Sequence, residues 1–182
     1  MAMGALSVLL GYLLGALPFG YLLVKLRRGE DIRGVGSGST GATNVARAAG
    51  PVVGLVTLLL DAGKGFGAVA AIVGHSFPVF LRFRGGKSVA TALGSFLYFA
   101  PLAAAAALGV WLVAVALWRY VSLGSVLAAA AFPLFAYGLY RPPLAITLAA
   151  GVGASIVILR HWSNLERLVL GTEPRLDLKS KI

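Results

Sequence analysis

The chain has 182 residues, of which 59% are hydrophobic and 12% charged, and its formal net charge is +10. Soluble domains are about 45–50% apolar and about 25% charged, so this composition excludes an ordinary water-soluble domain. The absence of cysteine excludes disulfides and thiol nucleophiles, and with only two histidines we expect no metal site and no cofactor.

The apolar segments predict one all-α domain over residues 1–182, a polytopic membrane bundle with about five to seven transmembrane or partial helices. A polar loop from Lys25 to Arg47 follows the first span, and a less apolar stretch from Pro51 to Gly74 contains Asp61 and Lys64. The predicted spans, in chain order, are Ala5 to Val24, Val89 to Ala100, Leu102 to Leu117, Val121 to Tyr140 and Leu144 to Leu159.

The basic residues predict the orientation of the chain in the membrane. Five lie in the loop at 25–47, three at 82–87 and five in the C-terminal segment, whereas the loop around Arg141 has one. Basic loops stay in the cytoplasm, so we expect the N-terminus outside and the C-terminus inside. Nucleic acid is not expected as a partner because these residues lie in short loops, which leaves lipid headgroups or a phosphorylated substrate.

The first polar loop contains a glycine-rich segment, G-V-G-S-G-S-T-G-A-T-N-V-A-R, from Gly34 to Arg47. Glycines let backbone N–H groups approach an anion closely, and hydroxyl or amide side chains donate to phosphate oxygens. A guanidinium adds a planar group that binds phosphate through two hydrogen bonds. A flexible connector is the alternative, but it would need neither the asparagine nor the arginine. The candidate ligands are Ser37, Gly38, Ser39, Gly41, Thr43, Asn44 and Arg47.

The second loop reads G-H-S-F-P-V-F-L-R-F-R-G-G-K-S-V-A-T, from Gly74 to Thr91. Its G-G-K-S segment is not a nucleotide-binding P-loop, because position 81, where that motif needs glycine, is leucine. The two glycines are expected to expose backbone amides to an anion, beside the lysine and the start of the next helix. The candidate ligands are Gly85, Gly86, Lys87, Ser88 and Thr91. His75 is either a structural hydrogen-bonding residue or a catalytic one.

The third polar segment reads R-H-W-S-N-L-E-R-L-V-L-G-T-E, from Arg160 to Glu173. If it is helical, Asn164 shares one face with Arg160 and His161, and that face could bind an anion. An amphipathic tail that only sets topology is the alternative. The sequence shows no paired carboxylates and no Ser-His-Asp spacing, so any reaction must depend on positioning and electrostatic stabilisation.

These three motifs, in this order and over nearly the whole chain, resemble those of the bacterial acyl-phosphate:glycerol-3-phosphate acyltransferases. The second motif is the most specific, and the tripeptide Tyr120-Val121-Ser122 is also similar. The resemblance implies transfer of a fatty acyl chain from acyl phosphate to the 1-hydroxyl of glycerol 3-phosphate, giving lysophosphatidic acid and phosphate. It also implies a multi-pass protein among the lipids of the bacterial inner membrane, with cytoplasmic active-site loops.

The resemblance implies roles for the candidate residues. Arg47, Lys87 and the glycine amides would hold phosphate and the developing oxyanion, while other side chains would orient the second phosphate and the attacking hydroxyl. The base is either His75 or a phosphate oxygen. The candidate catalytic residues are Ser37, Arg47, His75, Lys87, His161 and Asn164. Ser122 and Arg160 join the glycine, hydroxyl and amide residues named above as candidate substrate-binding residues.

The chain departs from the family pattern at three places. Ser39 stands where the family usually has asparagine, and Ser88 stands where it has glycine. Only 24 residues separate Gly50 from His75, where the family has roughly one span more. A single crossing there would put the second motif outside, so we predict a shallow or re-entrant hairpin broken near Asp61 to Gly65.

Two other functions remain open from the sequence. A small transporter for an organic phosphate would share the basic loops, but Asp61 and Lys64 are its only candidate mid-span polar residues and no inverted repeat is apparent. A lipid-binding membrane protein without enzymatic activity would leave the glycine, serine and asparagine pattern unexplained.

Overall fold

The computed structural model describes residues 2–176, and within that range the regular structure is entirely helical. The chain forms two compact units, Met1–Phe99 and Ala100–Ile182. The α-helices of the described range are α1 (Ala2–Ala16), α2 (Phe19–Arg28), α3 (Ala42–Ala49), α4 (Pro51–Gly63), α5 (Ala68–Ser76), α6 (Val89–Phe99), α7 (Pro101–Trp118), α8 (Val121–Tyr140), α9 (Leu144–Leu159) and α10 (Trp162–Val169). The predicted all-α class is confirmed.

Within residues 2–176, three helical stretches are long and apolar enough to cross a membrane: Ala5–Arg28, Pro101–Trp118 and Val121–Tyr140. Helices α9 and α10 make a fourth if the pair, bent by 53°, counts as one span. The shorter apolar helices are Pro51–Gly63, Val69–Leu81 and Val89–Phe99. Membrane-spanning character therefore belongs to both units, and the predicted total of five to seven depends on whether the short helices enter the bilayer.

The first predicted span is two helices. Pro18 separates α1 from α2, since proline has no backbone N–H to continue the α1 hydrogen-bond ladder. Helix α2 then continues to Arg28, four residues beyond the predicted end at Val24, because basic side chains are favourable in the last turn. Gly29 ends it in a left-handed conformation, with φ 71° and its N–H donating to Lys25 O.

The predicted polar loop from Lys25 to Arg47 is corrected at both ends, because α2 covers its start and α3 covers residues 42–47. Helix α3 contributes Val45 and Ala48 to a buried apolar cluster with Val24, Ile32 and Val53. Burial of these side chains stabilises a short amphipathic helix that its own length could not. The loop proper is therefore residues 29–41.

The break that the sequence predicts near Asp61 to Gly65, in the apolar stretch from Pro51 to Gly74, is confirmed. Helix α4 ends at Gly63, a 3-10 turn covers Lys64–Gly67, and α5 follows. Arg33, which precedes α4, has its Nη1 3.4 Å from the carbonyl oxygen of Leu81, which follows α5. The chain thus returns after α5 to the segment it left, so the first and second motifs lie beside each other in unit 1.

Unit 2 contains the helices whose limits the sequence predicted best. Helices α8 and α9 have the predicted bounds, and α8 packs against both α7 and α9. Helix α7 begins at Pro101, where the sequence predicted a break. The polar segment after α9 is helical as α10, which ends shortly before Gly171.

Candidate functional site

The glycine-rich loop of the first motif is organised around the buried side chain of Asn44, in the first turn of α3. Its Oδ1 accepts a hydrogen bond from Ser37 N (3.0 Å), and its Nδ2 donates to Val35 O and Ser39 O (both 2.9 Å). Both amide hydrogens are thus used inside the loop. The structure gives Asn44 a loop-shaping role that the sequence did not predict, and direct contact of Asn44 with a phosphate stays a prediction.

The other first-motif candidates follow the fold of this loop. Gly38 adopts a left-handed φ of 67°, and Ser39 Oγ accepts from Gly41 N at 3.2 Å. Thr43 and Arg47 are exposed and stand four residues apart on α3, so they share one helix face. That face and the exposed Ser37 offer the hydroxyl and guanidinium donors that the sequence predicted for an anion.

An ion pair that was not predicted from the sequence lies directly before the first motif. Arg33 Nη2 lies 2.6 Å from Asp31 Oδ2, and Arg33 N also donates to Asp31 Oδ1, which caps the short turn at 32–34. The same guanidinium reaches Leu81 O, as described above. Hydrogen bonds from Arg33 lower the pKa of Asp31 to about 2. The spacing of an aspartate two residues before an arginine was the available signal.

The glycines of the second motif are buried, and their amides bind the end of α5. Gly85 N donates to Ser76 O at 3.3 Å and Gly86 N donates to His75 O at 3.1 Å. The last carbonyls of a helix have no partner within it, which explains this arrangement. The expectation that both amides face an anion is therefore corrected, and a place for these glycines in a phosphate site stays a prediction.

Ser88 adopts a left-handed conformation with φ 58°. This conformation is unfavourable for a residue with a Cβ. Here Ser88 Oγ donates to Ile72 O at 2.8 Å and lies 2.6 Å from Ser76 Oγ. Lys87 beside it is half-buried, and the buried Oγ1 of Thr91 has no hydrogen-bond partner among residues 2–176.

Three buried ionisable side chains meet at the break between α4 and α5. Lys64 Nζ lies 2.7 Å from Asp61 Oδ1 and 3.1 Å from His75 Nδ1. It also donates to Leu17 O at 2.6 Å, at the break between α1 and α2. From the sequence, Asp61 and Lys64 were candidate transport residues and marked the predicted break, whereas the structure joins them to the candidate catalytic histidine. We call Asp61, Lys64 and His75 the Lys64 cluster.

In unit 2, the candidate substrate-binding residue Ser122 and the candidate catalytic residue Asn164 both bind the carboxylate of Glu173. Ser122 Oγ and Asn164 Nδ2 donate to Oε1 at 2.6 and 2.7 Å, and Arg167 Nε donates to Oε2 at 2.8 Å. Burial alone would raise the pKa of Glu173, but these hydrogen bonds and the Arg167 charge lower it below the ordinary value. The sequence analysis quoted Glu173 as the last residue of the third motif and gave it no role.

The remaining third-motif candidates lie where α9 turns into α10. His161 is buried, and its Nδ1 lies 2.8 Å from Val157 O. A carbonyl oxygen only accepts, so Nδ1 carries the proton. Arg160, the half-buried residue that ends α9, precedes it. His161 and Asn164 therefore share the start of α10, as the spacing predicted.

Comparison with known proteins identifies the family. The family model for glycerol-3-phosphate acyltransferase matches residues 5–171, which includes parts of both units. A glycerol-3-phosphate acyltransferase of Syntrophotalea carbinolica is 44% identical, over 93% of this chain and 96% of the relative. One of Trichlorobacter lovleyi is 48% identical, over 90% of this chain and 93% of the relative.

The alignment with the Syntrophotalea protein runs over 189 residues, more than the 182 of this chain, although it uses only part of it. That relative therefore carries residues that this chain lacks, in agreement with the predicted departure. The location of the difference between Gly50 and His75 stays a prediction.

Two solved structures are also similar. The glycerol 3-phosphate form of PlsY, an integral membrane glycerol 3-phosphate acyltransferase, has a TM-score of 0.90 at 38% identity, over 95% of both chains. The lysophosphatidic acid form has a TM-score of 0.86 at 36% identity, again over 95% of both chains. With its apolar helices, the family model over residues 5–171 and these two structures, this chain is an integral membrane protein that belongs to the glycerol-3-phosphate acyltransferase family.

Proposed function

We propose that this enzyme transfers a fatty acyl chain from acyl phosphate to the 1-hydroxyl of glycerol 3-phosphate. The observation that carries this proposal is that Arg33, the residue directly before the first motif, reaches Leu81 O of the second motif in unit 1. The two motifs begin 40 residues apart in the sequence, at Gly34 and Gly74. Their anion-binding candidates therefore lie in neighbouring segments. The relatives solved in their glycerol 3-phosphate and lysophosphatidic acid forms support the acceptor and the product.

The reaction needs no nucleophile from the protein, because an acyl phosphate is already an activated mixed anhydride. The 1-hydroxyl oxygen attacks the carbonyl carbon, the bond from that carbon to the phosphate oxygen breaks, and the hydroxyl proton leaves with the phosphate. Arg47 and Lys87 stabilise the phosphate and the developing oxyanion as preorganised cations. Ser37 orients the glycerol 3-phosphate.

A phosphate oxygen of the substrate is the proposed base. The alternative base, His75, is only 6% exposed, and its Nδ1 is 3.1 Å from Lys64 Nζ. A general base has to reach the proton that it removes, within about 3 Å or through one water. The enclosure of His75 supports the substrate oxygen.

The active-site loops are proposed to face the cytoplasm from the bacterial inner membrane, with the N-terminus outside and the C-terminus inside. The five basic residues at 25–47 and the three of the second motif support this orientation. Lipid chains surround the apolar helices, and the acyl chain of the donor enters from that side.

Cysteine accessibility tests the orientation, because the chain contains no cysteine of its own. Single cysteines at Arg47 and Arg84, both exposed, are labelled with a membrane-impermeant maleimide in intact cells and in inverted vesicles. Both positions are expected to react only in inverted vesicles. Labelling of position 84 in intact cells would contradict the cytoplasmic second motif.

Phosphate release tests the activity and separates it from transport. Purified protein in lipid is given acyl phosphate and glycerol 3-phosphate, and both phosphate and lysophosphatidic acid are measured. We expect release that depends on both substrates, and a loss of at least about 100-fold in Lys87→Ala with membrane insertion unchanged. Uptake of glycerol 3-phosphate into sealed vesicles without phosphate release would instead establish a transporter.

A further inference from the structure

The Lys64 cluster is buried within unit 1. Asp61 is 1% exposed, and Lys64 and His75 are each 6% exposed. No step of the proposed reaction uses Asp61 or Lys64. Buried ionisable groups inside apolar helices are costly and are retained where they have a structural or functional task.

The contacts of Lys64 identify it as a charged donor. Its Nζ lies 2.6 Å from Leu17 O, 2.7 Å from Asp61 Oδ1 and 3.1 Å from His75 Nδ1. An ammonium carries three N–H donors, which matches the three nearest acceptors, while Gly15 O lies farther away at 3.4 Å. The Asp61 carboxylate balances its charge, and the ring of Phe19, 5.0 Å away, adds a favourable cation–π contact.

This ammonium determines which nitrogen of His75 carries the proton. A lysine ammonium has no lone pair, so Nδ1 can only accept from it. Asp61 Oδ1 is 3.5 Å from Nδ1, too far to compete as an acceptor for an Nδ1 proton. A neutral imidazole with an accepting Nδ1 has its proton on Nε2.

The Nε2 edge of His75 faces the turn of the second motif. A Cβ added to Gly86 would collide with His75 Nε2, so only glycine lets the backbone approach the ring this closely. The carbonyl of His75 also accepts from Gly86 N. The ring and backbone of His75 therefore both contact the residue that precedes Lys87.

The geometry points to Lys64 as a positioning residue, which holds His75 as the neutral tautomer with its proton on Nε2. The ring then presents a hydrogen-bond donor, and not a base, to the turn at Gly86 and Lys87. The inference rests on the proposed function only for its effect on turnover. It assigns Asp61 the task of keeping Lys64 charged, and it assigns His75 the task of fixing the approach of Gly86. Lys87 is then held at the start of α6 by a chain of contacts that begins at the break in α4.

A purely structural ion pair would also be buried, and its loss would also destabilise the protein. The two roles differ in the tautomer of His75 and in which substitute can replace the ring. A glutamine amide reaches roughly the position of Nε2 and donates there, whereas an asparagine amide is limited to the neighbourhood of Nδ1. Only the positioning role makes glutamine the better replacement.

The tautomer is measured directly by ¹⁵N solid-state NMR of histidine-labelled full-length protein in lipid bilayers. The chain has two histidines, so the spectrum of His161→Gln assigns His75. We expect a nonprotonated Nδ1 and a protonated Nε2 in His75, and loss of this single form in Lys64→Met. A proton on Nδ1, or on both nitrogens, overturns the inference. Turnover is not needed, so a protein without activity refutes the proposed function and leaves this result intact.

Steady-state kinetics supply the second readout. Lys64→Met is expected to lower kcat by about 100-fold with KM for glycerol 3-phosphate changed less than threefold, since small misplacements of reacting groups cost about that much. Lys25→Met, which removes an exposed lysine from the end of α2, is the matched control and should keep its activity.

The pair His75→Gln and His75→Asn decides the case even if Lys64→Met does not fold. We expect His75→Gln to keep at least about tenfold more kcat than His75→Asn, a difference of about 1.4 kcal/mol in activation free energy. Equal activities, or the reverse order, contradict the inference.

Discussion

The two histidines of this chain are both buried, yet their surroundings assign the proton to opposite nitrogens. In unit 1, Nδ1 of His75 lies 3.1 Å from an ammonium, which can only donate. In unit 2, Nδ1 of His161 lies 2.8 Å from the carbonyl oxygen of Val157, which can only accept. Burial is therefore a poor guide to the chemistry of a histidine, and the partner of Nδ1 is the feature that distinguishes a donor from an acceptor at Nε2.

The regions around the two rings are also built from opposite charges. The centre of the unit 1 region is a cation, Lys64, that binds acceptors from three segments. In unit 2 an anion, Glu173, binds donors from α8 and α10. Each centre is expected to organise its neighbours, and the following predictions compare the two.

The largest effect is expected for Glu173→Ala. Loss of the carboxylate leaves Ser122, Asn164 and Arg167 without their shared acceptor, and we expect a loss of about 3 kcal/mol of stability. Thermal unfolding in lipid nanodiscs measures it. Glu166→Ala, which removes an exposed glutamate from α10, is the control and should change stability by less than about 0.5 kcal/mol. Equal effects of the two variants would contradict the central role of Glu173.

Ser88 tests how strongly the turn beside His75 is fixed. Ser88→Ala keeps a Cβ at φ 58° and loses both hydroxyl contacts, so we expect a loss of about 2 kcal/mol. Ser88→Gly loses the same contacts but relieves the backbone, so its stability should exceed that of Ser88→Ala by about 1 kcal/mol. Thermal unfolding of both variants decides, and a less stable glycine variant would exclude backbone strain at this position.

The histidine comparison itself is sharpened by substitutions at His161. Because Nδ1 of this ring donates to Val157 O, asparagine should replace it better than glutamine, in the opposite order from His75. We expect His161→Asn to be more stable than His161→Gln by about 1 kcal/mol, the usual net contribution of one hydrogen bond. Unfolding temperatures are the measurement, since both variants remove a candidate catalytic ring. If the same substitute is preferred at both positions, the two histidines do not carry their protons on opposite nitrogens.

The smallest effect is expected for acid stability at Asp31. Arg33 lowers the pKa of Asp31 from 3.8 to about 2, so the folded value lies below the unfolded one. Its contribution to stability is complete above pH 3.8 and is lost as the pH falls through about 2. The free energy of unfolding should therefore differ less between pH 5 and pH 2 in Arg33→Gln than in the unaltered protein. In Arg27→Gln this difference should stay the same. An unchanged profile in Arg33→Gln would contradict the assignment.

The long apolar helices could be predicted closely because their information is local. Helices α8 and α9 begin and end at the predicted residues, where Arg141 and two prolines interrupt the apolar run. The break at Lys64–Gly67 was also predicted, since charged residues within an apolar stretch are a local signal. The resemblance to the acyltransferase family came from three contiguous motifs, and each of these can be recognised from neighbouring residues alone.

The hydrogen-bond partners could not be predicted, because they join residues far apart in sequence. Asn44 has the composition of a phosphate ligand, but its amide closes a loop that begins nine residues earlier. Glu173 binds Ser122 across 51 residues, and Arg33 reaches Leu81 across 48. Nothing in the one-dimensional pattern distinguishes a residue that shapes a site from one that touches the substrate.

The contact of Lys64 with the end of α1 has a consequence for how the protein enters the membrane. Gly15 O and Leu17 O lie at the interruption of the first span, and Lys64 donates to them at 3.4 and 2.6 Å. A lone ammonium is poorly tolerated in hydrocarbon, and these carbonyl oxygens, one of which also accepts from Phe19 N, give it partners. We therefore expect the segment at 51–64 to enter the membrane together with the first span and not after it.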